Sequence, residues 1–226
     1  MPQRRINNPL ALAVLSCLNE RPMHPYEISA TLRHRSKEDS IRLNYGSLYS
    51  VVDALQKHEL IAPRETTRNG RRPERTIYEI TPAGVAEFED WLAELLSTPV
   101  REYTSLEAGL SLMPGLPPDD VVALLRKRAE RLRIELRTLD STFAEAADMQ
   151  LPELFQVETR YRQALLQAEL GFVCTLADRI AGGEAGGVAT WRRIHELRNE
   201  GIGFAEILTD PERWLGEEGR LLRPPS

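Results

Sequence analysis

Residues 44–61 of this 226-residue chain read NYGSLYSVVDALQKHELI. Four apolar residues in this stretch follow the three- and four-residue spacing of one helix face: Leu48, Val51, Val52 and Leu55. The spacing predicts a helix that turns this stripe towards a core. Its other faces carry short hydroxyls, a tyrosine and a lysine, all of which donate hydrogen bonds. Two interpretations stay open: an ordinary solvated face, or a face that binds an anionic partner.

Composition limits the class of protein. With 42% apolar and 28% charged residues, the chain resembles an ordinary globular protein. The sequence has no signal-peptide pattern and no apolar run of membrane-spanning length, so we expect a cytoplasmic protein with no membrane partner. Cys17 and Cys174 lie among apolar residues, which predicts reduced, structural thiols.

Catalytic and metal-binding motifs are absent from the sequence. The four histidines have no metal-ligand spacing, and neither a Gly-rich phosphate loop nor a G-x-S-x-G motif occurs. We therefore expect no metal, no cofactor and no enzymatic activity.

Charge is distributed unevenly along the chain. Residues 1–80 contain 13 Lys/Arg against 9 Asp/Glu, whereas the remainder contains 16 against 25. The net charges of these two parts, +4 and −9, give the chain total of −5. A basic first third attached to an acidic remainder is compatible with a DNA-binding module carried by a module that does not bind DNA.

The segments before residue 44 predict two helices and a short strand. Asn8 and Pro9 begin the first helix, because Asn is a good N-cap and Pro suits the first helical position. Pro25 begins the second helix. Alternation at Ile41 and Leu43 predicts a strand of two or three residues. The predicted order is helix, helix, strand, helix.

A basic β-hairpin is predicted after the third helix. Strand-like segments at residues 61–67 and 75–80 flank the turn RNGRRPE, in which Asn69-Gly70 tolerates positive φ. An arginine-rich tip suits a phosphate backbone or a minor groove. It equally suits a solvated hairpin that its arginines keep soluble.

Two helices, a third helix with a donor-rich face and a basic hairpin form the pattern of a winged helix-turn-helix, whose third helix enters the major groove. The segments MHPYEI, YGSLYSVVDALQKHELI and RRPERTIYEITPAG resemble, in this order, the signatures of the PadR family of transcriptional regulators. The resemblance covers about residues 9–98. It departs from the family pattern at Pro25, and at Glu59, where Gly often ends the recognition helix.

The resemblance implies that eight residues approach DNA. Serine and asparagine serve bases or phosphates, tyrosine hydroxyls hold phosphates, and arginine suits a guanine edge or a narrow minor groove. Tyr49 alternatively packs beneath the wing. The eight residues are Tyr26, Asn44, Ser47, Tyr49 and Ser50, with Arg68, Arg71 and Arg72 on the wing.

The second half of the chain predicts two long helices. Apolar residues recur at three- and four-residue spacing over Pro118–Phe143 and again over Leu154–Ile180, which predicts an antiparallel helical hairpin. Its apolar surface either pairs with a second copy or folds back on its own module, and we favour dimerisation. The expected dimer residues are Leu125, Leu132, Leu139, Tyr161, Leu165, Phe172 and Leu176.

The tail begins after AGGEAGG at residues 181–187, a predicted flexible joint. Trp191 and Trp214 either close a ligand pocket or attach the tail to the hairpin, which is the commoner role of such residues. The layout of the second half also resembles the longer PadR subfamily, whose carboxy-terminal region is similar to that of the virulence-gene activators.

These observations predict a mainly α protein with a small β-wing. The expected parts are a winged helix-turn-helix DNA-binding domain (1–98), a helical dimerisation domain with an antiparallel hairpin (99–183) and a tail (184–226). The resemblance implies a homodimeric repressor that a small hydrophobic or aromatic effector releases from double-stranded operator DNA. The alternative is a winged-helix protein-interaction module without sequence-specific DNA binding.

Overall fold

The computed structural model describes residues 6, 8–41, 45–67 and 75–222, and the chain divides into two compact units, Met1–Arg101 and Glu102–Ser226. As predicted, the fold is mainly helical with a small antiparallel sheet. The first unit contains α1 (Pro9–Glu20), α2 (Pro25–His34), α3 (Tyr45–Lys57), β1 (Ile61–Thr67), β2 (Arg75–Ile80) and α4 (Pro82–Ser97). The second contains α5 (Ser105–Leu112), α6 (Pro118–Asp148), α7 (Val157–Ala181), α8 (Val188–Asn199), α9 (Phe204–Thr209) and α10 (Pro211–Leu215).

The core of the first unit forms around α1, which is buried on most of its sides. The N-cap prediction is confirmed, since Asn8 Oδ1 accepts a 3.0 Å hydrogen bond from the main-chain N–H of Leu10. The predicted stripe of α3 is also confirmed. Its four members are at most 6% exposed and belong to this core: Leu48, Val51, Val52 and Leu55.

The sheet is a two-stranded wing that a third segment extends. β1 and β2 pair from Ile61↔Ile80 to Thr67↔Arg75, with an irregularity in the register between Pro63 and Glu65. Met23, just before α2, exchanges two 3.0 Å main-chain hydrogen bonds with Tyr78 of β2. The wing is therefore attached to the start of α2 as well as to the end of α3.

The strand predicted before α3 has no counterpart among the described residues. Lys37–Asp39 forms a 3₁₀ turn instead, and Ile41 lies in a bend that follows it. Leu43, the other half of the predicted alternation, lies outside the described residues. Two alternating apolar positions are too short a pattern to distinguish a strand from a bend.

In the second unit, α6 and α7 form the predicted antiparallel hairpin. Three hydrogen bonds record the opposite directions of the two helices: Arg128 Nε to Glu169 Oε1 at 2.5 Å, Arg133 Nη2 to Cys174 Sγ at 3.4 Å, and Gln163 Nε2 to Asp140 Oδ1 at 3.1 Å. Positions that advance along α6 therefore recede along α7.

The inward face of α7 differs from the predicted one. The stripe from Leu154 to Ile180 was expected to form one face of the hairpin, yet most of its members are exposed on the described chain. Val173, Ala177 and Ile180 are buried against α6, with Leu166 and Leu170 packed beside them. Only Ile180 is common to both buried sets, because two apolar stripes run along α7 and α6 covers the second.

The tail packs against the start of the hairpin. Trp191 Nε1 donates a 2.9 Å hydrogen bond to the Leu116 carbonyl, and His195 Nε2 lies 2.9 Å from the Pro114 carbonyl oxygen. Arg192 pairs with Asp119 at 2.9 Å. Trp191 thus attaches the tail to the second unit. Among the described residues, no helix is both long enough and apolar enough to span a bilayer.

Candidate nucleic-acid interface

Helix α3 turns a polar face to solvent directly opposite its buried stripe. Its exposed positions are Gly46, Tyr49, Ser50, Asp53, Gln56 and Lys57. The separation follows from the 3.6-residue period, because the apolar positions leave the opposite side of the helix outside the core. The predicted donors at Tyr49, Ser50 and Lys57 therefore share one accessible surface.

The two predicted serines occupy different positions on this helix. Ser47 is half-buried at the edge of a shallow groove that also contains Asn8, Ser50 and His58. The Ser50 hydroxyl donates a 3.1 Å hydrogen bond to the Gly46 carbonyl. A hydroxyl that donates in this way keeps its acceptor lone pairs, so Ser50 can accept from the amino group of a base.

Both predicted tyrosines are accessible. Tyr26 on α2 is 64% exposed and Tyr49 on α3 is 49% exposed. The ring of Tyr49 is thus half exposed rather than enclosed beneath the wing. Each phenol hydroxyl is available to a phosphate oxygen, which is a common partner of tyrosine at protein–DNA interfaces.

The first turn of α2 is built by the HPYE segment. His24 Nδ1 accepts a 3.1 Å hydrogen bond from the Tyr26 N–H, and Glu27 Oε2 accepts a 2.9 Å hydrogen bond from the His24 N–H. This reciprocal pair is a capping box in which histidine takes the place of Ser or Thr. Arg21 adds an ion pair to Glu27 at 3.7 Å. The motif therefore fixes the position of Tyr26 at the helix start.

Helix α3 ends without glycine. Glu59 adopts a left-handed φ of 59°, while the Leu60 N–H donates to the Leu55 carbonyl at 3.0 Å and the Glu59 N–H donates to the Gln56 carbonyl at 2.9 Å. This is the hydrogen-bond pattern of a Schellman cap, in which glycine is the usual residue at the left-handed position. The departure from the family pattern at Glu59 is accommodated with backbone strain.

The TPAG segment joins the end of the wing to the end of α3. Thr81 Oγ1 accepts from the Gly84 N–H at 3.0 Å and caps α4. The Thr81 N–H donates to the Leu60 carbonyl at 3.1 Å. A Cβ built on Gly84 would lie 2.0 Å from the Leu60 carbonyl oxygen, so only glycine lets α4 approach this closely. The segment positions both α3 and the wing.

Asp53 is a functional candidate that the sequence analysis missed. It lies at the centre of the exposed face of α3, between Ser50 and Lys57. Burial raises the pKa of Tyr78 on β2, and the negative charge of Asp53 raises it further. The helical period alone would have identified Asp53, since it is opposite the apolar stripe. A carboxylate there repels phosphates and accepts hydrogen bonds from cytosine N4.

Four of the predicted DNA contacts lie outside the described residues: Asn44, Arg68, Arg71 and Arg72. The neighbouring cations are largely paired. Arg64 on β1 lies 3.6 Å from Glu79, and Arg35 donates a 2.8 Å hydrogen bond to Glu20, which lowers the pKa of that carboxyl. Within the described residues, no group of three or more His, Cys, Asp or Glu side chains is arranged to hold a metal ion.

The predicted dimer residues divide into two groups. Leu125, Leu132 and Leu139 on α6 are 6–7% exposed and packed inside the hairpin of their own chain. Tyr161, Leu165 and Phe172 on α7 are 66%, 53% and 52% exposed, and Leu176 is half-buried. Only the α7 group offers accessible apolar surface.

Comparison with known proteins agrees with this geometry. Residues 14–90 match the model of the transcriptional regulator PadR-like family. These residues form a PadR-like domain. The match contains α2, α3 and both wing strands, which carry the accessible polar face and the TPAG junction. The chain is accordingly a PadR-type transcriptional regulator.

Solved structures with the same fold extend over both units. Bacillus subtilis PadR in complex with operator DNA is 17% identical, with a TM-score of 0.52 over 74% of this chain and 99% of that chain. The Vibrio cholerae virulence activator AphA is 15% identical, with a TM-score of 0.55 over 76% and 98%. Bacillus subtilis PadR in complex with p-coumaric acid is 14% identical, with a TM-score of 0.51 over 73% and 98%. A sequence comparison with curated proteins found no match.

Proposed function

We propose that this PadR-type regulator acts as a homodimeric repressor, and that a small-molecule effector releases it from operator DNA. The observation that carries the proposal is the accessible polar face of α3 within a PadR-like domain. A helix of this kind enters the major groove, where its side chains reach base edges and phosphates. The further elements of the proposal each rest on a separate argument.

Base and phosphate contacts are assigned to different residues. Ser47, Ser50 and the unlocated Asn44 have the size and the hydrogen-bonding groups to meet bases or phosphates. Tyr26 and Tyr49 are exposed phenols suited to phosphates on either side of the groove. These contacts fix the helix in the groove, and the short side chains allow it to approach closely.

The wing supplies the electrostatic part of the affinity. Arg68, Arg71 and Arg72 follow β1 in the sequence, and neutralising phosphates with arginine releases counterions and makes binding dependent on salt. Lys57 at the end of α3 is exposed and carries a further positive charge beside the same surface. We expect each of these cations to contribute to the salt dependence of binding.

Dimerisation follows from the two-fold symmetry of operator half-sites. Recognition helices of a dimer meet half-sites about 34–36 Å apart, and a long helical hairpin provides such a span. The exposed residues Tyr161, Leu165 and Phe172 supply an apolar stripe for pairing. Leu125, Leu132, Leu139 and Leu176 support the stripe from inside the hairpin rather than forming the contact.

The effector proposal is an analogy with one neighbour of the same fold. Bacillus subtilis PadR is known both with operator DNA and with p-coumaric acid. A small aromatic or hydrophobic molecule is therefore the first class to screen. An effector releases DNA only if it binds the DNA-free conformation more tightly than the DNA-bound one.

The decisive experiment is fluorescence anisotropy of labelled DNA from upstream of the protein's own coding region, titrated with protein between 50 and 200 mM salt, concentrations over which phosphate contacts change affinity strongly. We expect specific binding with a steep salt dependence. Tyr49→Phe and Ser47→Ala should weaken operator binding about 5- to 50-fold, because each removes about 1–2 kcal/mol of hydrogen bonding. Tyr103→Phe, which changes a tyrosine in the second unit, serves as the matched control.

The contrary outcome separates the alternatives. A folded protein that shows no salt-dependent binding to any upstream fragment, with or without p-coumaric acid, contradicts the DNA-binding proposal and favours the protein-interaction module. Binding that increases transcription from the bound promoter in a reconstituted assay contradicts the repressor part alone. Binding that no aromatic or hydrophobic compound weakens contradicts the effector part alone.

A further inference from the structure

Charge is segregated along the α6–α7 hairpin. Residues 126–137 carry six Lys/Arg and two Asp/Glu, whereas residues 140–158 carry five Asp/Glu and no Lys/Arg. We call the first segment, together with α5, the base of the hairpin, and we call residues 140–158 the tip. An α-helix rises 1.5 Å per residue, so α6 is about 46 Å long and the charges lie near its two ends.

The base contains an open apolar groove between α5 and α6, with a volume of about 670 Å³. Leu112, Leu116 and Leu124 line it and are 75%, 45% and 53% exposed. Gly109 also lines it, and a Cβ at this position would meet no atom within 4 Å. The groove is thus accessible from the α5 side.

The rim of this groove is basic. Lys127 and Arg131, one helical turn apart, both line it, and neither makes an ion pair within the part of the chain that the structure describes. Arg128 also lines the rim but is satisfied by Glu169 on α7 at 2.5 Å. Two cations beside an apolar floor favour an occupant that is both apolar and acidic.

The tip has the complementary composition. Leu154 and Phe155 are 77% and 65% exposed on the connection before α7. Glu145 and Asp148, near the end of α6, are exposed and make no ion pair with any described residue. Exposed apolar side chains flanked by carboxylates match a groove of leucines flanked by cations.

We propose that the tip of one chain docks in the base groove of a second copy, so that two identical contacts form about a two-fold axis near the middle of the hairpins. The inference rests on the proposed homodimer and specifies its geometry. An antiparallel arrangement brings each acidic tip to a basic base, whereas a parallel one brings tip to tip and base to base. The exposed stripe of Tyr161, Leu165 and Phe172 continues from the tip along α7 and covers the region between the two contacts.

Charge reversal in the full-length protein tests this arrangement by sedimentation equilibrium. Lys127→Glu/Arg131→Glu and Glu145→Lys/Asp148→Lys should each weaken the dimer at least about tenfold, because each places like charges at both contacts. An equimolar mixture of the two variants should recover the affinity, since the heterodimer pairs opposite charges at both contacts. Arg198→Glu, on an exposed position of α8, is the control and should leave the dimer unchanged.

Disulfide cross-linking gives a readout that is independent of stability. In a Cys174→Ser background, which leaves the buried Cys17, we expect Gly109→Cys and Leu154→Cys chains to form a cross-linked dimer only when mixed. Efficient self-cross-linking of the Leu154→Cys chain would overturn the proposal, because it requires two tips to meet.

The outcomes distinguish this geometry from the homodimer itself. A dimer that ignores both charge reversals and gives no mixed cross-link contradicts tip-to-base docking while the homodimer stands. A wild-type chain that is monomeric at micromolar concentration contradicts both.

Discussion

The side-chain hydroxyl of Thr81 donates a 2.7 Å hydrogen bond to the main-chain carbonyl of Glu59. Thr81 caps α4 and Glu59 ends α3, so one bond connects the proposed recognition helix to the element that follows the wing. The Thr81 N–H donates to the next carbonyl, that of Leu60. The pair of bonds fixes the direction in which the polypeptide leaves α3.

Replacing Glu59 with glycine should stabilise the first unit. Glu59 holds a φ of 59°, a conformation that costs most L-residues about 1–2 kcal/mol and glycine nothing. After the greater entropy of an unfolded glycine is subtracted, we expect a gain of about 0.5–1 kcal/mol in the free energy of unfolding by urea. Glu89→Gly, inside α4, is the matched control and should lose about 1 kcal/mol. Equal losses in both variants would contradict the strain argument.

Gly84→Ala should destabilise the same unit. The new methyl group would lie 2.0 Å from the Leu60 carbonyl oxygen and 2.8 Å from Ile80 Cγ1, so α4 must move. Overpacking of this kind costs about 1–3 kcal/mol, measured as a lower urea midpoint. Gly171→Ala in the middle of α7 meets no atom within 4 Å and should raise helix stability by about 0.5–1 kcal/mol. A neutral Gly84→Ala variant would show that α4 is free to shift.

His24→Ala should lower stability and DNA affinity together. It removes the acceptor for the Tyr26 N–H, a loss of about 1 kcal/mol for an N-cap, and it loosens the turn that positions Tyr26. His24→Asn is the control, because asparagine is a good N-cap and should retain both properties. The test is contradicted if thermal unfolding and operator affinity are the same in the alanine and asparagine variants.

Asp53→Asn should make DNA binding stronger and less selective. Removing one negative charge from the exposed face of α3 should raise affinity for non-operator DNA about five- to tenfold at 0.1 M salt, a change of about 1 kcal/mol. The same variant should lower the pKa of Tyr78, since the charge of Asp53 helps to raise it. Anisotropy and ultraviolet titration measure the two effects. Glu89→Gln on α4 is the control, and an unchanged operator preference in Asp53→Asn would contradict the prediction.

The stability of the first unit should decline at alkaline pH because of Cys17. Burial raises the pKa of the Cys17 thiol to about 11, above the value of about 8.5 expected in the unfolded chain. Folding therefore favours the protonated thiol. Its contribution is fully present below pH 8.5 and is lost as pH rises towards 11, by an amount on the order of 2–3 kcal/mol.

Urea unfolding at pH 8 and pH 10.5 measures this loss. Cys17→Ala should show a smaller decline, and the part that remains belongs in part to Tyr78, whose raised pKa acts in the same direction. Identical declines in the two proteins would contradict the role of Cys17. The buried thiol should also react slowly with alkylating reagents in the native state, since the thiolate is the nucleophile.

The sequence determined the elements of the first unit because each has a strong local signal. Asn8-Pro9 and Thr81-Pro82 begin helices through side-chain caps, and the stripe of α3 fixes which of its faces is buried. Local signals fail where two patterns compete or where a pattern is short. The alternation at Ile41 and Leu43 was too brief to identify a strand.

Only the tertiary structure decided which stripe of α7 lies inside the hairpin. Tyr161, Leu165 and Phe172 follow helical spacing as well as Leu166, Leu170 and Val173 do, so the period allows either face. Packing against α6 selects the second set, and the first remains exposed. Likewise, the need for glycine at position 84 is visible only when the Leu60 carbonyl is in place. Sequence determines what is local to one helix, whereas contacts between residues distant in the chain depend on how its elements pack.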